Sequence, residues 1–130
     1  MKQLFSLFIL AIFATATSFA AEVELKSFKA VSGDADDYIS YVAEQGKSAT
    51  PPAVYSGVIR VYQNGGLFTV NAKNGAKITQ IILGSSMATS VTYSVDGAAE
   101  SAAQAIKANA KLTVDELSAN SIRFTCKGTS

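Results

Sequence analysis

Residues 61–70 read VYQNGGLFTV, and this stretch decides the fold class. Apolar and polar residues alternate on both sides of Asn64, Gly65 and Gly66, which is typical of strands with one buried face. Asparagine and glycine tolerate the positive φ angles of a tight turn, so the pattern predicts two adjacent antiparallel strands. Outward from this stretch, similar short runs separated by turn residues fill the chain, and they predict an all-β domain.

Eight strands are predicted after residue 20. They cover residues 23–28, 38–42, 58–63, 67–72, 77–83, 90–95, 111–114 and 121–127. Asn74 and Gly75 repeat the turn signal, so residues 58–83 are predicted to form a three-stranded meander. Strands with one apolar and one polar face must pair the apolar faces across two sheets, so we expect an antiparallel β-sandwich.

Two local features complete the strand prediction. Cys126 shares a strand face with Ile122 and Phe124, so it is expected to be a small buried hydrophobic residue; an exposed thiol that joins two chains is the alternative. The alanine-rich residues 98–110 allow two interpretations: a short helix, or a loop with a strand near residues 105–108.

The first 20 residues have the pattern of an export signal. Residues 1–3 carry a positive charge, residues 4–13 are apolar (LFSLFILAIF), and small residues lead to an expected cleavage after Ala20. A membrane anchor needs about 20 predominantly apolar residues, and polar residues interrupt this run too early. We therefore expect a signal peptide over residues 1–20 and one domain over residues 21–130, secreted or held in the cell envelope (periplasm or outer surface).

Composition excludes several classes of function. The 130-residue chain has no His, no Trp and one Cys, so it forms no Ser-His-Asp triad, imidazole metal site or internal disulfide. Its eleven basic and ten acidic residues become ten of each once Lys2 is removed with the leader. A neutral chain gives no electrostatic reason to expect nucleic acid or, after cleavage, a membrane as partner. We expect no catalytic residues and no enzyme activity.

One candidate ligand site is aromatic. Tyr55 follows two prolines in a predicted loop, which makes it the tyrosine best placed to expose a ring for stacking on a sugar. Arg60 and Tyr62 share a strand face opposite Ile59 and Val61. They either face a ligand together or form a structural polar contact.

A second candidate site is acidic. Asp34, Asp36 and Asp37 place three carboxylates within four residues, and carboxylate oxygens are the ligands that Ca²⁺ prefers. The spacing does not fit the helical calcium loop, so a solvated acidic turn is the alternative. No other cofactor is expected.

The order of six segments resembles a jelly-roll-like β-sandwich module of secreted and surface proteins in gut-type Gram-negative bacteria. The segments are residues 51–62 (PPAVYSGVIRVY), 66–70 (GLFTV), 77–81 (KITQI), 90–97 (SVTYSVDG), 112–114 (LTV) and 117–125 (LSANSIRFT). The resemblance implies a jelly-roll-like sandwich and export, and it implies no reaction. Members of that family continue into one more strand beyond the equivalent of residues 128–130, so the resemblance also implies that this chain lacks its last strand.

These features favour an exported, non-catalytic binding module whose ligand is a glycan or another envelope component. The alternative is a structural or accessory domain that is completed when a partner chain adds a strand to it. The sequence leaves the oligomeric state open.

Overall fold

The computed structural model describes the backbone of residues 4–16, 19–25 and 27–128, and the side chains of Val23, Leu25 and residues 27–128. Within these residues the chain forms twelve β-strands and no helix, which confirms the predicted all-β class. Residues 1–3 and 17–18 of the predicted leader lie outside the described residues, as do all side chains next to the predicted cleavage point.

The strands follow one another along the chain as short segments. They are β1 (Leu4–Ala16), β2 (Phe19–Leu25), β3 (Ser32–Asp34), β4 (Ile39–Glu44), β5 (Ala53–Tyr55), β6 (Val58–Tyr62), β7 (Leu67–Ala72), β8 (Lys77–Ser85), β9 (Thr89–Val95), β10 (Gln104–Ile106), β11 (Ala110–Val114) and β12 (Ser121–Cys126). The eight predicted strands correspond to β2, β4, β6 to β9, β11 and β12. The alanine-rich stretch is a loop with the short strand β10, not a helix.

The strands form two antiparallel sheets. Sheet I has the order β11-β8-β1-β6-β5, with β2 pairing to β1, and sheet II has the order β10-β9-β12-β7-β4-β3. The core contains buried side chains from both sheets, among them Ile59, Ile81 and Leu83 from sheet I and Phe68 and Ile122 from sheet II. The fold is therefore an antiparallel β-sandwich, as the alternating pattern predicted.

The predicted hairpin around Asn64 and Gly65 is wrong, because β6 lies in sheet I and β7 lies in sheet II. The turn satisfies its backbone groups on β12: the Gly65 N–H donates to the Cys126 carbonyl at 2.9 Å, and the Cys126 N–H donates to the Gly66 carbonyl at 2.8 Å. Gly65 has a φ of 121°, which favours glycine. The turn predicted at Asn64 and Gly65 is present, but it carries the chain from sheet I to sheet II instead of joining two paired strands.

The predicted meander fails for the same reason, since β8 returns to sheet I after β7. The turn signal at Asn74 and Gly75 carries the chain across the sandwich, and both residues have positive φ angles. The Asn74 side chain donates to the Asp37 carbonyl at 2.5 Å, which ties this crossing to the loop before β4. A turn motif therefore determines where the chain bends. Pairing with strands that are distant in the sequence determines which sheet the next strand joins.

The last strand follows the predicted face pattern. Ile122, Phe124 and Cys126 are buried, whereas Arg123 is exposed. The start of β12 is held by Asp96, whose carboxylate accepts the backbone N–H groups of residues 120 and 121, each at 2.8 Å. These bonds join the turn after β9 to its neighbouring strand in sheet II.

Strand β1 lies inside sheet I although it belongs to the predicted leader. Its backbone pairs with β8 from Leu7 to Thr15 and with β6 from Leu4 to Leu7. On the β6 side, β2 continues the pairing along the second half of β1. The chain therefore has an N-terminal strand between β6 and β8.

Candidate functional site

The three residues of the predicted aromatic site lie together on β5 and β6, and we call Tyr55, Arg60 and Tyr62 the aromatic patch. Tyr55 is the last residue of β5 rather than part of a loop, and its side chain is 47% exposed. The two-residue turn Ser56-Gly57 joins the strands, and both residues have positive φ angles of 50° and 81°. This geometry is typical of the tight hairpin turns that match strand twist.

Arg60 holds the Tyr55 ring in place from one side. The register pairs Ala53 with Arg60 and Tyr55 with Val58, so Tyr55 and Arg60 are diagonal neighbours on one face. The guanidinium carbon of Arg60 lies 4.2 Å from the centre of the Tyr55 ring, which is a cation–π contact. The contact orients an exposed aromatic ring.

Tyr62 is the buried member of the patch, because the residue is only 6% exposed. Burial is the largest cause that raises the pKa of Tyr62, and a hydrogen bond with the Tyr55 side chain raises it further, while Arg60 lowers it. Of the two alternatives for this shared face, the burial of Tyr62 favours a structural role for that residue. Within the patch, Tyr55 and the half-buried Arg60 are the groups that a ligand can touch.

The acidic residues do not form a ligand set, because each takes part in a different local contact. The Asp34 carboxylate forms an ion pair with Lys73 at 2.7 Å. The Asp36 carboxylate accepts the N–H groups of Tyr38 and Ile39 at 2.7 and 2.8 Å, which is an Asx-type turn. Asp37 contributes its carbonyl oxygen to the Asn74 contact. Across the described part of the chain, no three His, Cys, Asp or Glu side chains converge on a metal site.

An open depression of about 490 Å³, which no pattern in the sequence predicted, lies on the outer face of sheet II. We call it the cationic depression, because Lys47, Arg123 and Lys127 line it with a single carboxylate, Glu100. Thr125 adds a hydroxyl to the floor. Arg123 and Thr125 lie at alternate positions of β12, opposite Ile122, Phe124 and Cys126, so the strand periodicity places them on the outer face, where Thr125 is itself buried. Lys127 follows the end of the strand.

Glu100 is held by its neighbours within the depression. Thr92 donates to the Glu100 carboxylate at 2.5 Å, and the Lys127 ammonium lies 4.0 Å from the same oxygen. The Thr92 hydrogen bond is the largest cause that lowers the pKa of Glu100, with Lys127, Thr125 and Arg123 acting in the same direction. Among the described residues, Lys47 and Arg123 have no carboxylate within 4 Å, so the depression carries excess positive charge.

Cys126 is buried, as its strand position predicted. Burial raises the pKa of its thiol to about 12, and Thr89 places a hydroxyl 3.9 Å from the sulfur. A thiol in this state is a poor nucleophile, because the thiolate is the reactive form. Cys126 therefore belongs to the core and not to either candidate site.

No protein-family model, curated protein or solved structure matches the chain. The resemblance to a bacterial surface module therefore stays a prediction from the sequence. Among the residues that the structure describes, no helix is long and apolar enough to cross a membrane.

Proposed function

We propose that this protein is an exported, non-catalytic module, secreted or held in the cell envelope, that binds a glycan through the aromatic patch. The observation that carries the proposal is the exposed Tyr55 ring with the Arg60 guanidinium 4.2 Å from its centre. An aromatic ring stacks on the apolar face of a sugar, and a guanidinium donates to sugar hydroxyls or carboxylates.

Preorganisation favours a binding role for this patch. Tyr55 is restrained by its cation–π contact with Arg60, so less rotational freedom is lost when a ligand stacks on the ring. Exposed surface elsewhere lacks this arrangement: Met87 is the other large apolar side chain that is exposed among the described residues, and it is 40% exposed.

The test is a polysaccharide panel with the full chain and two matched variants. We expect at least one neutral or acidic polysaccharide to bind, and we expect Tyr55→Ala to weaken binding by about tenfold or more, in line with about 1.5 kcal/mol for an aromatic contact. Met87→Ala is the matched control, because it also removes an exposed apolar side chain and is expected to leave binding unchanged. Isothermal titration calorimetry gives the affinities.

Arg123→Ala separates the two candidate surfaces. If Arg123→Ala abolishes binding while Tyr55→Ala has no effect, the cationic depression is the site and the aromatic patch is not. If the folded full chain binds no member of the panel, the glycan proposal is wrong.

A further inference from the structure

The most unusual feature of the sandwich is that the predicted leader supplies a central strand. Strand β1 lies between β6 and β8 in the sheet order and is antiparallel to both: residues 4–7 pair with β6 on one side, and residues 7–15 pair with β8 on the other. Cleavage after Ala20 would remove all of β1 and the first two residues of β2. Sheet I would then consist of the pairs β11-β8 and β6-β5, which are two-stranded ribbons.

Removal of β1 would open a gap that is one strand wide. β8 would lose the strand that pairs with residues 77–85, and β6 would lose the strand that pairs with residues 59–62, which leaves backbone N–H and C=O groups unpaired on both. Because neighbouring strands lie about 4.8 Å apart, the two edges would stand about 10 Å apart where they overlap, next to Ile59 and Ser85. Two-stranded ribbons are marginally stable, and unpaired edges invite further strands. The gap would therefore need an occupant.

The gap would also open onto the core of the sandwich. Ile59 and Val61 on β6 and Ile78, Ile81 and Leu83 on β8 are all at most 1% exposed in the full chain. Removal of a strand between them would bring apolar surface into contact with water, at a cost of about 25 cal/mol per Å². An occupant with apolar residues on its inner face would cover this surface again.

We propose that the gap between β6 and β8 is a strand-acceptor slot, filled after export by an extended apolar segment of a partner chain. The proposal rests on the export and cleavage that belong to the proposed function. Strand β1 fills the gap in the full chain and shows which kind of segment fits there. It has thirteen residues without charge or proline, and it is antiparallel to both neighbours. Proline is excluded from such a position because a central strand needs its backbone N–H groups.

Length favours a partner segment over a second copy of this chain. The edge of β8 is nine residues long. The strands at the ends of the two sheets, which a second copy would offer, are β3, β5 and β10 with three residues each and β11 with five. The part of β2 that remains after cleavage has five residues. The five-residue strands would cover little more than half of the β8 edge, and the three-residue strands would cover a third of it.

The experiment starts from the folded full chain, with a protease site inserted between Thr17 and Ser18. The purified protein is cleaved in place, unfolded in urea and refolded with a tenfold excess of a fluorescent peptide of residues 4–16 that carries a lysine tail for solubility. We expect one peptide per protein, measured by size-exclusion chromatography with fluorescence detection. A peptide with Leu7→Pro is the matched control, because Leu7 pairs with both Ile59 and Ser85. Loss of its ladder hydrogen bond is expected to weaken capture by roughly tenfold.

Capture of the unmodified peptide with weaker capture of the proline peptide supports the slot. A folded cleaved monomer that captures neither peptide overturns it, and so does equal capture of both. A dimer that excludes the peptide assigns the gap to a second copy and overturns the proposed occupant. N-terminal sequencing of the exported protein tests the premise separately, and the glycan panel uses the intact chain, so a failed slot leaves the proposed function standing.

Discussion

The two sheets of this sandwich obtain their strands in different ways. Sheet II takes all six of its strands from residues 32–126, whereas sheet I needs β1, which comes from residues 4–16. The central strands of sheet II, β7 and β12, pair with two neighbours that lie well within the domain. Strands β6 and β8 each have one such neighbour and share β1 as the other. One sheet is thus self-contained, and the other depends on a segment that was predicted from the sequence to be an export signal.

The prediction with the largest expected effect compares the two sheets through a matched pair of core substitutions, one in each sheet. Ile122→Ala in sheet II and Ile59→Ala in sheet I both truncate a side chain that is 0% exposed, so each is expected to lower the free energy of unfolding of the full chain by about 2–5 kcal/mol. Leu7→Pro in the same chain disrupts β1 next to Ile59. Urea unfolding of the single and double variants gives the coupling energies.

The coupling energies show whether β1 stabilises only sheet I, the sheet to which it belongs. Leu7→Pro is expected to couple with Ile59→Ala by about 0.5–3 kcal/mol and with Ile122→Ala by no more than about 0.5 kcal/mol. Equal coupling to both isoleucines would mean that β1 stabilises the two sheets alike, and the contrast between them would be lost.

The second prediction concerns Cys126 in sheet II. Its thiol is buried with a pKa raised to about 12, so labelling by a disulfide reagent at pH 8 is expected to be at least about 100-fold slower than in urea-unfolded protein. Leu7→Pro is expected to leave this protection largely intact, since Cys126 lies in the sheet that does not contain β1. Rapid, complete labelling of the folded chain would show that sheet II opens easily and would contradict its self-contained character.

The smallest expected effect is a pH dependence in the cationic depression. The pKa of Glu100 is lowered in the folded state, so its contribution to stability is present above the ordinary carboxyl pKa and is lost as the pH falls through the folded value. The side chain is 42% exposed, so solvent screening keeps the effect below about 1 kcal/mol. Glu100→Gln is expected to flatten the stability profile below about pH 5, as measured by urea unfolding across pH. If Glu100→Gln leaves the dependence of stability on pH unchanged, the Glu100 carboxylate does not make these contacts when the protein is in solution.

Much of the fold was predictable because alternation of apolar and polar residues reports burial directly. The face shared by Ile122, Phe124 and Cys126 is buried as expected. Sheet membership was not predictable from the same signals, because Asn64 and Gly65 encode a bend and not the strand that follows it. Strand β1 was not predicted, since a predominantly apolar run fits an export signal and a fully buried strand equally well.

The candidate site was predictable in part. Tyr55 and Arg60 come together because a two-residue turn places β5 against β6. The Ser56-Gly57 pair could have indicated that turn, but Tyr55 was predicted to lie in a loop and β5 was not predicted. The cationic depression was missed because Lys47, Glu100 and Arg123 are distant in sequence. Only strand pairing and the loop after β9 bring them to one face.

Hydrogen exchange of the full chain before and after removal of β1 tests the difference between the sheets most directly. The chain is cleaved in place, freed of its leader fragment in urea and refolded without it. We predict that β6 and β8 then exchange at least about tenfold faster while β7 and β12 stay protected, and that a peptide of residues 4–16 restores the slow exchange. Unchanged protection in β6 and β8, or equal loss of protection in all four strands, would contradict the dependence of sheet I alone on β1.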